Sequence, residues 1–510
     1  MKNESGSSLS YWMDTAQVPA FEPLKENVRA DVCVVGGGIA GLTTAYLLAR
    51  DGANVVLVED GRIASGETER TTAHITNVID DRYYEIERLH GNDGAKEAAA
   101  AQTAAIDTIE RIIKEENIDC DFLRLPAYLF FNHGQDKEAR KELEACNRVG
   151  VAAEEAVLLE TVPRLTDGRV LRFDRQAQFH ALRYIRGLVE AAVRRGVRVY
   201  TQTHANEIDR EDGLVEVETS TGGKVICNDV VVATNSPVSD LALVHIKQSA
   251  YRTFVVAGPV PKGSVPLALY WDNDEPYHYV RLQPEADHDV LIIGGEDHKT
   301  GQEDDANERY TRLENWARLR FPMLGEIKYR WSGQVVEPID GLGYIGHEPE
   351  GKKNQYIITG DSGMGMTHAT LGATIVRDLI LGRENPWANV YRAGRLNLKA
   401  GGEMLREDLN MAAQYVDHVT GGDVKSVRDV PVGEGRVIRK GLKKYAVYKD
   451  AKGTMHTMSA VCTHLGCIVQ WNSEEKTWDC PCHGSRFDAY GTVVNGPAIE
   501  RLKEEGDLDD

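Results

Sequence analysis

Two short loops near the end of the chain constrain its folding more than any other stretch: Cys462-Thr463-His464-Leu465-Gly466-Cys467, then 12 residues, then Cys480-Pro481-Cys482-His483-Gly484-Ser485. Four of the eight cysteines fall here, while Cys33, Cys120, Cys146 and Cys227 are scattered. Crowding of this kind in a long chain points to a metal site rather than to a secreted disulfide scaffold. Each loop offers a thiolate and an imidazole. That set suits a two-iron cluster with sulfur ligands on one iron and nitrogen ligands on the other, and zinc uses similar ligands. In the iron case, neutral imidazoles in place of two anionic thiolates make an added electron easier to accept.

The two loops, with Gly496-Pro497-Ala498 as a third segment, resemble the Rieske family over residues 424–504. The resemblance implies a small all-β domain holding a [2Fe-2S] cluster, with Cys462, His464, Cys480 and His483 as iron ligands and Cys467 and Cys482 as a disulfide joining the loops. It matches the cytochrome-complex type, apart from one position. High-potential members carry a serine and a tyrosine whose hydroxyls donate to cluster sulfurs; here Ser485 is kept and the tyrosine position is Phe487. The loss of one donor implies a potential below the respiratory type.

A second constraint lies near the start. Val32 to Val35 reads as a buried strand, Gly36-x-Gly38-x-x-Gly41 as a tight turn opening a helix to Arg50, and Val55 to Val58 as the next strand, closed by Glu59. This βαβ unit is the context in which glycines let a backbone approach a pyrophosphate at a helix N-terminus, while the acid accepts hydrogen bonds from a ribose. The 18 uncharged residues between Asp31 and Arg50 reach the length of a marginal membrane span, but four glycines split the run into a strand and a helix.

Over residues 28–392 the chain resembles the glycine and D-amino-acid oxidase-like flavoproteins, and this selects FAD over NAD. The segments that carry the likeness are Ala64-Ser65-Gly66 with Arg70, Val232-Ala233-Thr234-Asn235, Asp340-Gly341-Leu342, and Gly363-Met364-Gly365-Met366-Thr367. The resemblance implies that FAD is held by Gly36, Gly38, Gly41, Glu59, Ser65, Arg70, Thr234, Gly363, Gly365, Met366 and Thr367. The family's early Arg-Asn-Gly-Gly reads Arg70-Thr71-Thr72-Ala73-His74 here. His74 is either a satisfied structural histidine or a neighbour of the flavin, even a covalent one. For substrate, strand alternation puts Tyr277, Tyr279 and Arg281 on one face, where Arg281 with Tyr279 suits a carboxylate, or the arginine is simply paired on a sheet.

The expected fold class is α/β: a Rossmann-like FAD domain with an inserted antiparallel substrate sheet around residues 250–300, plus the small all-β Rieske domain. Flanking parts are an N-terminal extension (1–27), a helical connector (393–423) and an acidic tail (505–510). In the connector, Met404 or Leu405, Leu409, Ala412, Val416 and Val419 recur at helical spacing, as a face docked on a neighbouring domain requires, with Glu403, Glu407, Asp408 and Asp417 outside. A formal charge of −20 argues against nucleic acid, and the polar N-terminus with no apolar run makes the cytoplasm the default location. The expected activity is oxidation of an amine or amino acid by hydride transfer to FAD, with electrons leaving singly through the cluster to an unidentified one-electron partner; the alternative is a non-catalytic electron carrier or redox sensor. A Rieske oxygenase is excluded because no two histidines lie closer than His456 and His464, eight apart.

Overall fold

In a computed structural model of the protein, residues 6–156, 165–166, 168–211, 213–236, 244, 246–349, 352–418, 420–506 and 508 are described. Val32–Val35 is wholly apolar and buried on both faces, as a parallel strand covered on each side must be. It sits inside a six-stranded sheet of order Tyr344–His347, Gln355–Thr359, Asp229–Asn235, Val32–Val35, Val55–Val58, Arg198–Tyr200. All neighbours are parallel except the first pair. The helix Ile39–Arg50 packs against Gly365–Ile380 and Ala181–Arg194, so late sequence does complete the nucleotide fold.

The second large sheet departs from the expected insertion. Its main path runs Tyr329–Pro338, Gln248–Pro261, His288–Lys299, His278–Pro284, Leu269–Asp272, Leu123–Phe130, Val170–Gln178, His74–Ile75. Half of it therefore comes from outside residues 250–300, and one pair, Leu269–Asp272 with Leu123–Phe130, is parallel. The early strands flank the long helices Tyr83–Glu116 and Asp136–Val149, whose apolar periodicity dominates that region of sequence.

The C-terminal module has a three-stranded sheet, Glu434–Lys440, Lys443–Lys449 and Met455–Ser459, and a four-stranded one, Gln470–Asn472, Thr477–Asp479, Arg486–Asp488 and Val493–Asn495. Trp471, Trp478 and Phe487 are buried in its core.

The flanking parts make specific contacts. In the N-terminal extension, Trp12 is fully buried, donates to Thr71 O at 2.6 Å, and lies 5.2 Å from the Arg281 guanidinium. The connector helix Gly401–Gln414 does not bury its apolar row, since Leu405, Leu409 and Val416 are 61%, 64% and 57% exposed. Its polar groups dock instead. Glu407 accepts from Ser249 at 2.7 Å and pairs with Lys299, and Asn410 accepts from Gln302 at 2.8 Å. Farther along, Tyr415 donates to Leu465 O at 2.6 Å and His418 lies 2.8 Å from Gly466 O. The side chains of Met404, Asp408, Ala412 and Val419, and Asp507, Asp509 and Asp510 of the acidic tail, lie outside the described residues. Among the described residues no helix is long and apolar enough to cross a membrane.

Candidate functional site

The C-terminal ends of the parallel strands open into a cavity of about 300 Å³, which continues along the second sheet and is closed by Val493–Gly496 of the C-terminal module. At one end is the glycine turn. Gly36 has φ of +113°, and a Cβ there would fall 2.5 Å from Ala233 O; one on Gly41 would fall 1.9 Å from Gly36 O. Gly36 and Gly38 line the cavity, whereas Gly41 lets the helix close on the strand. The helix Ile39–Arg50 has no side-chain cap, so its first N–H groups face the cavity, apart from Ile39 N, which donates to Thr68. Glu59 accepts from Gly61 N at 2.8 Å and from Gly37 N, and burial pushes its carboxyl up to about 7. These features fit a dinucleotide.

Toward the other end lie His74, Thr253, Trp271, Tyr277, Tyr279, Gln334 and Gly363–Met366. The helix Gly365–Ile380 also starts without a side-chain cap. His74 is placed edge-on to Trp271 and Tyr279, at 6.2 Å and 5.7 Å between ring centres. Its Nδ1 is 3.0 Å from the Thr72 hydroxyl and Nε2 is 3.4 Å from Val280 O; burial, with Arg281 second, pushes the imidazole down to about 3. It is a neutral, satisfied wall of the cavity. Ser65, Thr234 and Met366 also line it.

Three expected ligands behave otherwise. Thr367 is buried and donates to Met364 O at 3.2 Å rather than facing the cavity. Arg70 forms part of the wall, but its guanidinium turns away, donating to Ser8 Oγ at 2.8 Å and Ser332 O at 3.0 Å and pairing with Glu475 of the C-terminal module at 3.3 Å. Arg281 does not line the cavity. Its Nη1 donates to the carbonyls of Thr72, Ala73 and Phe179 at 3.1, 3.0 and 2.9 Å, and Nη2 to Gln283 at 2.7 Å. Alternation identified its face correctly, with Gln283 beside it, but the face is filled by backbone acceptors and by Trp12.

Sequence reasoning missed the acids of this region. Asp80 and Asp361 line the cavity, and Asp297 and Glu337 stand behind Tyr277 and Tyr279. Burial pushes Asp80 and Asp297 up to about 7 and Asp361 up to about 6. No sequence signal marks them, since they come from four separate segments.

In the C-terminal module, the rings of His464 and His483 are 5.0 Å apart and perpendicular. Burial pushes both imidazoles down to about 4, which keeps them neutral as metal ligands must be. Both His483 nitrogens are buried without a hydrogen-bond partner. The Cys462 and Cys480 thiols touch each other, and backbone N–H groups of His464 and Leu465 point at Cys462, those of Cys482 and His483 at Cys480. Ser485 accepts from Ala498 N at 3.0 Å and also contacts Cys462. Cys467 and Cys482 form a disulfide with Cα atoms 6.4 Å apart. Two thiols and two neutral imidazoles fit the iron–sulfur donor set.

The module is locked to the flavin domain. Gln334, a wall of the cavity, donates to Gly484 O at 3.1 Å, beside His483. Asn495 donates to Glu67 at 3.2 Å, and Glu67 also accepts from Gln334 N at 2.6 Å. Glu475 lies between Arg70 and Arg252, at 3.3 and 3.2 Å, and accepts from Ser332 and, at 2.7 Å, from Ser8. Burial alone would raise this carboxyl, but Arg70, Arg252 and Arg486 overcome it and hold it at about 2.

The family model of FAD dependent oxidoreductases, DAO, matches residues 31–379, and that of the Rieske [2Fe-2S] domain matches residues 422–505. A Bacillus subtilis (strain 168) protein, the Rieske 2Fe-2S iron-sulfur protein YhfW, is 33% identical over 502 residues, which is 97% of both chains. Gamma-glutamylputrescine oxidoreductase of Escherichia coli (strain K12) is 28% identical over 390 residues, 73% of this chain and 89% of that one. The crystal structure of glycine oxidase from Geobacillus kaustophilus shares the fold at a TM-score of 0.62 and 18% identity, over 72% of this chain and 99% of that chain. The chain belongs to the DAO family of FAD-dependent oxidoreductases and carries a C-terminal Rieske domain, with FAD and a [2Fe-2S] cluster as its cofactors.

Proposed function

We propose that this enzyme oxidises an amine or amino acid at the aromatic end of the cavity and passes the electrons one at a time through the Rieske cluster to an external one-electron partner. When bound, FAD supplies a two-electron hydride acceptor and the cluster a one-electron store. The observation that carries the reading is the shared wall: Gln334 lines the cavity and donates to the carbonyl of Gly484, next to His483, while Val493–Gly496 close the same cavity. A separate electron carrier would not need a cluster loop hydrogen-bonded to a wall residue of the cavity.

The chain's own residues orient the substrate and exclude water. Trp271, Tyr277 and Tyr279 wall the chamber with apolar surface, and Tyr279 is fixed by a 2.7 Å hydrogen bond with Thr253. The name of the E. coli relative, gamma-glutamylputrescine oxidoreductase, favours an amine-bearing substrate. The oxidised holoenzyme, mixed anaerobically with a panel of amines and amino acids, tests the proposal. Flavin bleaching followed by the paramagnetic signal of the reduced cluster is expected. Bleaching with no cluster signal overturns the electron route, and reduction only by a protein partner makes the chain a carrier.

A further inference from the structure

The charges around the substrate end of the cavity are one-sided. Among the described residues that line it, the single arginine is Arg70, already committed to Glu475, and there is no lysine. His74 is neutral, and Arg281 is spent on three carbonyls behind the wall. No cation is left to receive a substrate carboxylate.

Asp80, by contrast, is open. Asp80 lines the cavity and forms no ion pair or hydrogen bond through its carboxylate among the described residues. Its nearest cation, Arg82, donates instead to Asp80 O at 2.9 Å, Asn273 at 2.9 Å and Asp272 O at 3.4 Å. Asp297 is not among the lining residues, and its carboxyl is hydrogen-bonded with Thr253. Tyr277 and Tyr279 line the same cavity with their rings 5.4 Å apart, so Asp80 and an aromatic pair share one chamber. A buried carboxylate without a partner is costly unless a proton or a cation joins it, and an aromatic face adds to the attraction for a cation.

We propose that the substrate is a diamine or polyamine without a carboxylate, bound through an ammonium group by Asp80 beside the Tyr277–Tyr279 pair. This rests on the amine-oxidation reading above and narrows it. It also reverses the expectation that Arg281 receives a carboxylate.

The test uses holoenzyme reduced beforehand with dithionite, so that no turnover competes, and calorimetric titration with 1,4-diaminobutane, butylamine and 4-aminobutanoate. The diamine is expected to bind about tenfold or more tighter than butylamine, and 4-aminobutanoate weaker than either. Asp80→Asn, checked for intact flavin absorbance and cluster signal, is expected to weaken the diamine about tenfold and butylamine much less. Tighter binding of 4-aminobutanoate than of the diamine, or parental diamine affinity in Asp80→Asn, overturns the inference. The two readings fail separately. If amines bleach the flavin but diamine selectivity is missing, oxidation stands and this inference falls; if the diamine binds as described but no amine bleaches the oxidised enzyme, the cation site stands and the oxidation reading falls with the substrate assignment.

Discussion

The buried carboxyls at the substrate end carry a measurable pH signature. Asp80 is pushed up to about 7, by burial first, with Arg82 opposing and Asp81 and Asp361 adding to the rise; Asp297, Glu337, Tyr277 and Tyr279 also face it. An acid raised on folding holds its proton more tightly in the native state. Its stabilising contribution is therefore complete below the ordinary carboxyl range and is lost as pH rises through about 7. Asp80→Asn is expected to raise stability modestly at about pH 5, where the carboxyl of the unfolded chain is already ionised, and by about 2 kcal/mol more at about pH 8. Thermal unfolding at both pH values checks this, and an equal shift at both would show a pH-independent effect. In the other module, Phe487 is buried in the core at the position where high-potential relatives place a tyrosine. Phe487→Tyr is expected to raise the cluster potential by about 40–60 mV, the equivalent of a hydrogen bond of about 1–1.5 kcal/mol favouring the reduced state. Voltammetry showing an unchanged potential would remove the missing hydroxyl as a determinant.

Among elements, the glycine turn shows why one part of the site was readable and another was not. Strand, turn, helix and closing acid occupy 28 consecutive residues, Val32 to Glu59, so local spacing contains nearly the whole geometry. The four cluster ligands sit likewise in two short loops. Asp80, Asp297, Glu337 and Asp361, however, meet only because the second sheet and the start of Gly365–Ile380 converge, and no periodicity reports that. Arg281 departs from its expected role for a related reason: alternation gives the face of a strand but not what covers it, and here the cover includes Trp12 of the N-terminal extension. The connector erred in the opposite direction, with helical spacing correct and burial wrong, because Glu407 and Asn410 rather than the leucines make its contacts. The turn makes a sharp prediction. A methyl on residue 41 would meet Gly36 O at 1.9 Å, so Gly41→Ala must spread helix from strand. The purified variant is expected to lose most of its flavin absorbance while its cluster signal persists; full flavin occupancy would show that the turn can yield.

At the scale of the whole molecule, what distinguishes this chain from a flavoenzyme with a tethered electron carrier is the absence of slack between its two modules. Glu475 is fully desolvated between Arg70 and Arg252, within reach of Arg486, and tied to Ser8 and Ser332. A buried pair of this kind adds little net stability over an apolar interface, yet removing one partner leaves unmatched charge and is costly. Glu475→Gln keeps the size and several hydrogen bonds but strands two arginines in a dry interface, at a cost of about 3–5 kcal/mol, more than transient contacts elsewhere at the interface can absorb. The modules are then expected to separate on the connector, whose own contacts are polar and partly exposed. The readouts are faster proteolysis between residues 393 and 423 and a delay between flavin bleaching and appearance of the cluster signal, with bleaching itself unchanged. A variant that clips faster yet reduces its cluster at the parental rate would show that docking at Glu475 is structural only. A delay without loss of either cofactor would identify the buried carboxylate as the residue that positions the cluster for electron transfer.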